Sequence, residues 1–241
     1  MTETCLYLVP HQDDELLTMG LGILRDLLQH DVHLLLLTDG GATGAVRALD
    51  RGGLCPKCAH FHRRPVSRDA MMASRMMEFH DSARALGVAS SAVHLANPLL
   101  PDGALAEDDV LTQLRPLVHH LGVRHLRCLD PMVGPDQVLD HRVAGRVALR
   151  LAGEGTVASL ELFREPYVSS AEHYQTISPE PKEQRRLLAA LASYRRYSPR
   201  HGRYAVGLHS VWGVMRRYKR DMRSYVRMLP VTPSTYPAGT S

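Results

Sequence analysis

A group of polar side chains able to bind a metal ion follows the first apolar run of the sequence. That run covers residues 5–9 and ends at Pro10. An imidazole and three carboxylates come directly after it: His11, Asp13, Asp14 and Glu15. Acids so close together repel one another and lose hydration on burial unless a cation lies among them. The alternative is an acid that caps the following helix, with another in its first turn. Because a cap needs one acid and no imidazole, the pattern favours a metal site.

Alternating strands and helices are needed to position these side chains. Apolar runs predict strands at 4–10, 32–37, 92–96, 124–129 and 159–163. Apolar residues at helical spacing predict helices at about 15–30, 67–87, 107–121, 139–152 and 180–196. We therefore expect an α/β fold with a mostly parallel, Rossmann-like sheet and helices on both faces. Ligands of such sheets bind beyond the C-terminal ends of the strands, which is where His11 lies.

The segment Pro10–Glu15 resembles the (Ala/Pro)-His-x-Asp-Asp-Glu signature of the LmbE/PIG-L family of zinc-dependent N-acetylglucosaminyl deacetylases. Shorter matches follow in the family's order: Thr38-Asp39-Gly40, Arg75-x-x-Glu78, Leu86-Gly87, Pro101-Asp102-Gly103 and Asp140-His141-Arg142. The likeness covers about residues 4–150. It implies a metal-dependent hydrolase that removes the acetyl group from the nitrogen of an amino sugar.

A hydrolytic zinc site needs three protein ligands and an open position for water. His11 and Asp14 are two candidates from one loop. His141 is the third, because it follows another predicted strand and begins a helix, and the family resemblance indicates the same residue. Asp140, next to His141, is expected to support the metal site without binding the metal itself. Two histidines and a carboxylate suit Zn²⁺, and they also suit Fe²⁺.

The resemblance also implies roles for three other residues. Asp13 matches the general base, which takes a proton from the attacking water and returns it to the departing amine. Arg75 and Asp102 match positions that hydrogen-bond sugar hydroxyls. From the residues alone, Arg75 could instead pair with Glu78 on a helix surface, and Asp102 could belong to an ordinary turn. Glu15 is expected to be structural, as an acid in the first turn of a helix.

One position departs from the family's pattern. The family's His-x-Asp-His motif has its first histidine three residues before the metal ligand, where this sequence has Val138. That histidine is credited with stabilising the oxyanion. Either the metal alone is sufficient, or the catalyst is altered, or another donor substitutes. The third explanation is our prediction, with Gln137, His60 and His62 as the candidates.

A loop predicted at about 40–66 contains Cys55-Pro56-Lys57-Cys58. This spacing suits two ligands of a tetrahedral zinc ion, and a nearby histidine could be a third. Cys5 and Cys128 lie in predicted strands, so no second Cys-x-x-Cys completes an all-cysteine site. A structural zinc, a redox-sensitive dithiol and a loop without metal are the three alternatives.

Length and composition indicate a single globular domain at 1–229 with a flexible tail at 230–241. Because no apolar stretch reaches membrane length and no signal peptide is evident, we expect no membrane span and a cytoplasmic location. The net charge of +4 is spread along the chain, and aromatic residues make up only 5%, so nucleic acid is not an expected partner. The densest basic stretch is expected to be a helix near 210–228.

The sequence leaves the substrate open within this chemistry. The resemblance implies a small N-acetylated amino sugar, and the Arg-, Ala- and Leu-rich composition is compatible with natural-product or thiol biosynthesis. A different acyl group or a sugar-linked amide is one alternative. A non-catalytic metal-binding homologue is another, because Val138 replaces a family histidine. The oligomeric state is not indicated.

Overall fold

The computed structural model describes residues 2–62, 65–132, 139–164, 173–229 and 231. Its strands are β1 Thr4–Val9, β2 Asp31–Thr38, β3 Gly53–Leu54, β4 Phe61–His62, β5 Val93–Leu100, β6 Val123–Leu129, β7 Ser159–Arg164, β8 Gln175–Ile177, β9 Tyr197–Ser198, β10 Arg203–Tyr204 and β11 Ser224–Leu229. Its α-helices are α1 Asp14–Leu17, α2 Gly20–Asp26, α3 Ala45–Asp50, α4 Arg68–Leu86, α5 Glu107–Leu121, α6 Leu139–Gly153, α7 Pro181–Ser193, α8 Val206–Ser210 and α9 Trp212–Tyr218. Short 3-10 turns lie at Ser90–Ala92 and Pro199–His201.

Seven of these strands form a central sheet in the order β5-β2-β1-β6-β7-β11-β8. The pairs from β5 to β7 are parallel, whereas β11 runs antiparallel to both β7 and β8. The predicted α/β fold with a mostly parallel sheet is therefore confirmed. Because β1 lies between β2 and β6, its C-terminal end is close to the C-terminal ends of both neighbours.

Apolar side chains pack on both faces of the sheet. In β1, Cys5, Tyr7 and Val9 belong to one buried cluster, and Leu6 and Leu8 belong to another. The first cluster includes side chains of α2, α4, α7 and α9, and the second includes side chains of α5 and α6. This two-sided burial explains why the strand sequences are continuously apolar. Among the described residues, no helix has the length and apolar character needed to span a membrane.

The long helix α4 supplies several residues of the site described below. It begins after Ser67, whose hydroxyl accepts a hydrogen bond from the N–H of Ala70. It ends at Gly87, which has a φ angle of 93°, a conformation that glycine adopts without steric conflict. The prediction of a helix at 67–87 is confirmed to within one residue at each end.

The prediction of one helix over about 15–30 was wrong, because α1 and α2 are separate. The carbonyl of Thr18 accepts a hydrogen bond from Ser224 Oγ at 3.1 Å instead of continuing a helical ladder. Glycines then let α2 approach its neighbours closely. A Cβ at Gly22 would lie 2.5 Å from Cζ of Phe163. These contacts come from residues more than 130 positions away, so local periodicity could not show them.

The predicted loop at 40–66 contains more structure than expected. Helix α3 lies within it, and β3 and β4 form a small antiparallel hairpin in which Gly53 pairs with His62. The hairpin closes around the Cys-x-x-Cys segment. Residues 63 and 64 are outside the described part of the chain.

The predicted basic helix near 210–228 was also wrong in its second half. Helix α9 ends at Tyr218, and the chain then forms β11, which pairs with β7 and β8. In β11 the Arg227 Nη2 atom lies 2.6 Å from Asp130 Oδ2. Pairing with the remote strands β7 and β8 therefore takes the place of the predicted helix from residue 224 onward. Apart from Val231, the predicted tail at 230–241 lies outside the described residues.

Candidate metal centre and active site

The chain turns sharply where β1 ends. Thr38 Oγ1 in β2 donates to the carbonyl of Pro10 at 2.8 Å, which fixes the start of the turn. Asp13 has a φ angle of 123°, which residues other than glycine rarely adopt. Such a conformation costs about 1–3 kcal/mol and is found mainly where function constrains the backbone.

Glu15 holds this turn in place from the protein core. One carboxylate oxygen accepts from the backbone N–H of Asp13 at 2.9 Å. The other accepts from Ser82 Oγ and Tyr194 Oη, each at 2.6 Å. Burial raises the pKa of Glu15 to about 7. Glu15 lies in the first turn of α1, as predicted, but it fastens the Asp13 backbone to α4 and to the end of α7.

The three predicted metal ligands lie together, and we call them the His11 cluster: His11, Asp14 and His141. The Nδ1 atom of His11 lies 3.0 Å from Nε2 of His141 and 3.4 Å from Oδ2 of Asp14. The His141 Nε2 to Asp14 Oδ2 distance is 3.1 Å. Neutral imidazole lone pairs and a carboxylate oxygen all donate electrons, so they converge only around a proton or a cation. These atoms fit a zinc ion with ligand bonds of about 2.0–2.2 Å.

Two further carboxylates hold the other nitrogen of His11. Its Nε2 atom lies 3.0 Å from Asp140 Oδ2 and 3.2 Å from Asp102 Oδ1. Asp140 also accepts from the backbone N–H groups of Gly103 at 2.7 Å and Leu105 at 3.0 Å, which fix its carboxylate. A proton on Nε2 donated to these acids leaves the Nδ1 lone pair directed at the His11 cluster. Carboxylate partners of this kind orient metal-binding histidines.

The surrounding carboxylates stabilise positive charge at this place. Burial disfavours a charged His11, but hydrogen bonds to Asp102, Asp14 and Asp140 raise the pKa of His11 well above its ordinary value. Burial also opposes ionisation of Asp14, yet His141 and His11 hold the pKa of that carboxyl far below its usual range. The same groups that stabilise a proton here would stabilise a bound cation.

Asp13 lies next to the His11 cluster and contacts Arg75. Arg75 Nη2 is 3.5 Å from Asp13 Oδ2 and donates to the carbonyl of Gln12 at 2.9 Å, while Nη1 donates to the carbonyl of Gly40 at 3.1 Å. Burial raises the pKa of Asp13 to about 7, and the Arg75 charge opposes that rise. A carboxyl group with a pKa near neutrality can both accept and return a proton.

The two residues predicted to contact a sugar, Arg75 and Asp102, both line the same pocket. Asp102 Oδ2 accepts from the backbone N–H of Ala42 at 3.0 Å and lies 3.8 Å from Arg75 Nη1. The alternative in which Arg75 pairs with Glu78 on a helix surface is not what the structure shows. Glu78 is buried, and it accepts from the backbone N–H groups of Val206 and Gly207.

The pocket has a volume of about 330 Å³, within the range of small-molecule sites, about 300–1,000 Å³. It is lined by the His11 cluster and by Asp13, Arg75, Asp102 and Asp140. Its wall also includes residues that the sequence did not single out: Thr43, Leu139, Ser210, Val211 and Val214. Ser210 ends α8 and Val211 and Val214 follow it, far along the chain, so no local pattern marks them. Gln137 and Val138 lie outside the described residues.

The structure does not support a loop histidine as the oxyanion donor. His62 is buried with Nε2 at 3.2 Å from Cys58 Sγ, and His60 is exposed with Nδ1 at 2.7 Å from the Cys58 carbonyl. Neither residue lines the pocket. Both histidines lie within the predicted loop at 40–66, but the hairpin places them beside Cys58 and away from the pocket.

Fold and site together define an α/β protein with a pocket of potential metal-ligand side chains at the C-terminal edge of its sheet. The sequence model of the PIG-L family, described as GlcNAc-PI de-N-acetylase, matches residues 6–152. The chain therefore belongs to the PIG-L family, as its motifs predicted. No curated protein sequence matches it.

Several solved structures share this fold. The zinc-inhibited form of teicoplanin deacetylase Orf2 has a TM-score of 0.63 at 14% identity, covering 97% of this chain and 100% of that one. N,N'-diacetylchitobiose deacetylase from Pyrococcus horikoshii has a TM-score of 0.64 at 16% identity, covering 97% and 88%. GalB, the 4-carboxy-2-hydroxymuconate hydratase from Pseudomonas putida KT2440, has a TM-score of 0.57 at 13% identity, covering 100% and 99%. At these identities the similarity establishes the fold.

Proposed function

We propose that this protein is a metal-dependent N-deacetylase, which hydrolyses an acetamide group on an amino-sugar-containing substrate and releases acetate and a free amine. The observation that carries the proposal is the position of Asp13. This buried carboxyl with a raised pKa lies in one pocket with the His11 cluster. Family membership supports the proposal, and so do the deacetylases among the structural neighbours.

The proposed metal is Zn²⁺, bound by His11 Nδ1, Asp14 Oδ2 and His141 Nε2. Fe²⁺ suits the same donors and is the alternative. A metal ion held there would supply Lewis acidity, which activates water and polarises the amide carbonyl. His11 is held for this role by Asp140 and Asp102, which accept from its other nitrogen.

Asp13 is proposed to move the proton. Its carboxylate accepts a proton from water as the water oxygen adds to the acetyl carbon. The same group then donates that proton to the nitrogen as the carbon–nitrogen bond breaks, which releases the amine. Arg75 lies 3.5 Å from Asp13 Oδ2 and favours the ionised form needed for the first step. The pKa of about 7 suits the second step.

Arg75 and Asp102 are the proposed sugar-binding residues. A sugar hydroxyl both donates and accepts hydrogen bonds. The guanidinium can donate to its oxygen, and the carboxylate can accept from its O–H group. Both side chains are already anchored to backbone groups of the protein. Anchored groups lose little freedom on binding and therefore orient a ligand well.

The test is an assay of purified protein on a panel of N-acetyl sugars: free, nucleotide-linked and aglycone-linked. We expect acetate and free amine in equal amounts from at least one member, and loss of this activity in Asp13→Asn. The exposed acid Asp108 provides a matched control, since Asp108→Asn should retain activity. Zinc should be titrated in the assay, because one structural neighbour is a zinc-inhibited form.

The products distinguish the alternatives. Release of a different acid would indicate a hydrolase of another acyl group or of a sugar-linked amide. Metal binding without turnover on any member would indicate a non-catalytic homologue. Since the hydratase GalB shares the fold, only the products assign the reaction.

A further inference from the structure

A second set of metal-ligand side chains lies where the β3–β4 hairpin meets α8. We call it the Cys55 cluster: Cys55, Cys58, His62 and His209. Cys55 Sγ lies 3.3 Å from His209 Nε2, and Cys58 Sγ lies 3.2 Å from His62 Nε2. All four ligand atoms lie within 4.8 Å of one another. A tetrahedral zinc ion, with bonds of about 2.3 Å to sulfur and about 2.0–2.1 Å to nitrogen, needs separations of this order.

We propose that the Cys55 cluster binds one structural zinc ion, separate from the metal of the His11 cluster. Two cysteines and two histidines complete a tetrahedral zinc shell, which leaves no position for water or substrate. Burial agrees with a closed site, because His62 is 2% exposed, His209 1% and Cys55 7%. The proposal does not depend on the deacetylase function.

The surroundings of His209 prepare it for metal binding. Its Nδ1 atom lies 2.6 Å from the carbonyl of Ala205, the residue directly before α8. A carbonyl only accepts, so Nδ1 carries the proton and the Nε2 lone pair faces Cys55. Metal-binding histidines show this arrangement, with the second ring nitrogen donating to a carbonyl or carboxylate. Lys57 Nζ also donates to the His209 carbonyl at 2.8 Å, which ties the Cys-x-x-Cys turn to α8.

The local backbone brings the two sulfurs together. The N–H of Cys55 donates to the carbonyl of His60 at 2.9 Å, and the N–H of Ala59 donates to the carbonyl of Cys55 at 2.8 Å. Ala59 has a φ angle of 59°, in the left-handed region that favours glycine. The ring of His62 stacks on Tyr197 with centroids 5.0 Å apart, which holds the third ligand in place.

A disulfide or an apolar cluster explains less of this geometry. A Cys55–Cys58 disulfide would explain the positions of the two cysteines. It would not explain why the imidazoles of His62 and His209 lie beside them. Both cysteines are free thiols in the structure. Two buried imidazoles beside two thiols also carry a desolvation penalty, which a bound cation would offset. Zinc binding accounts for all four side chains together.

The proposed zinc would link two segments that are distant in sequence. Cys55 and His209 are 154 residues apart. Ser210 and Val211 follow His209 directly and line the candidate active-site pocket. The ion would therefore fasten the loop between β2 and α4 to one wall of that pocket. Such cross-links stabilise the folded chain because the unfolded chain has no preformed site.

Metal analysis of the purified full-length protein tests the proposal. We expect about two metal equivalents per chain in the wild type, and the loss of one in the Cys55→Ser, Cys58→Ser double variant. His62→Ala should lose the same equivalent, while the matched control His60→Ala should keep it, because His60 is exposed and outside the cluster. The His11→Ala, His141→Ala variant should lose only the other equivalent.

Cobalt substitution separates the two sites by their ligands. Thiolate ligands produce a charge-transfer absorption with Co²⁺ that oxygen and nitrogen ligands do not produce. We expect this band in the wild type and in the His11→Ala, His141→Ala variant, and its absence in the Cys55→Ser, Cys58→Ser variant. His209→Ala should weaken zinc binding at the Cys55 cluster, since it removes one of the four ligands. If this variant does not fold, His62→Ala tests the loss of one imidazole ligand in the same way.

Four results would overturn the proposal. One is a wild type without the cobalt band. The second is a band or zinc equivalent that persists without both cysteines. The third is a Cys55–Cys58 disulfide in protein purified under reducing conditions, seen as a mass lower by two hydrogens. The last is a folded His209→Ala variant that keeps the wild-type zinc affinity at this cluster.

Discussion

The His11 cluster and the Cys55 cluster follow the same plan with different donors. In each, a short turn supplies two ligand side chains that lie three residues apart, and a helix from elsewhere in the chain supplies a histidine. That histidine is His141 in α6 for the first cluster and His209 in α8 for the second. Each turn also contains a non-glycine residue with a positive φ angle, Asp13 in one and Ala59 in the other.

The difference between the clusters lies in what completes them. The His11 cluster has one carboxylate and two imidazoles, and it opens into a pocket that Asp13 also lines. The Cys55 cluster has a fourth ligand of its own and three buried members. An incomplete ligand shell leaves room for chemistry, whereas a complete one can serve only stability.

The largest effect is expected from Asp13→Asn. The amide keeps the shape of the side chain but cannot accept the proton from water, so turnover should fall by roughly two to four orders of magnitude. Metal content should stay near that of the wild type. Steady-state kinetics and metal analysis on the same preparation check both statements.

The matched variant is Asp14→Asn, which changes the neighbouring acid and should lose metal from the His11 cluster. If the two variants lose metal equally, Asp13 is a ligand and the assigned division of labour is wrong. The cobalt band of the Cys55 cluster serves as an internal control, since neither substitution should change it.

Glu78 binds the first turn of α8 without involving a metal, and this contact can be tested by its pH dependence. Its carboxylate accepts from Val206 N–H at 2.7 Å and Gly207 N–H at 2.9 Å, and burial raises its pKa to about 7 from 4.5. The folded protein therefore binds more protons than the unfolded chain between these values, so this group lowers stability as the pH rises from about 4.5 to about 7. The total change should approach 3 kcal/mol, about 1.4 kcal/mol per pKa unit.

Glu78→Gln removes this titration. Urea unfolding of both proteins at pH 5 and pH 8 should show that the wild type loses up to about 3 kcal/mol relative to the variant as the pH rises. The glutamine amide is a weaker hydrogen-bond acceptor than the carboxylate, which changes the stability of the variant by the same amount at both pH values. This difference cancels when the change between the two pH values is compared for the two proteins. Parallel pH profiles for the two proteins would show that Glu78 does not titrate in this range.

Asp140→Asn should weaken metal binding at the His11 cluster only. Asp140 orients His11 through its Nε2 atom at 3.0 Å, and loss of such a partner typically lowers metal affinity about 10–100-fold. The amide oxygen can still accept a backbone N–H, so the fold should persist. Competition with a chelator measures affinity, and the cobalt band reports the Cys55 cluster separately. Equal weakening of both clusters would indicate a general loss of structure.

The sequence could predict one of these clusters far better than the other. His11 and Asp14 follow a buried strand within four residues, and His141 begins the helix after another strand of the same sheet. Strand order in a parallel sheet brings such ends together, so proximity follows from the fold class. Family resemblance then suggests the roles, which stay predictions.

The Cys55 cluster could be predicted only in part. The spacing of Cys55 and Cys58 is a local signal, and a nearby histidine was suggested as a third ligand. His209 has no such signal, because it is a single histidine in a short helix, 154 residues from Cys55. The same limit explains the missed strand β11, whose pairing with β7 and β8 depends on segments far from it in sequence.

The smallest effect is expected at the positive φ angles, where the two turns differ. Asp13 combines its strained backbone with the carboxyl proposed as the general base, so no substitution can relieve the strain without removing that carboxyl. Ala59 has no comparable constraint, since its methyl group is exposed and its N–H bond to Cys55 is made by the backbone. Alanine in a left-handed conformation destabilises the folded protein by about 1–2 kcal/mol. Replacing it by glycine increases the conformational entropy of the unfolded chain, which costs about 0.4–1 kcal/mol of stability. Ala59→Gly should therefore stabilise the protein by up to about 1 kcal/mol.

Ala205 is the matched control for that substitution. It also has a left-handed φ angle, 50°, but its methyl group is fully buried. Gly at 205 would relieve similar strain and lose about 0.8 kcal/mol of burial, so the net change should be near zero. Urea unfolding of the zinc-loaded protein measures both variants. If Ala59→Gly raises the free energy of unfolding and Ala205→Gly leaves it unchanged, the backbone at Ala59 is strained although its side chain has no chemical role. Destabilisation by Ala59→Gly would mean instead that the main effect of the alanine is to restrict the conformations of the unfolded chain. The two clusters would then resemble each other only in their ligands.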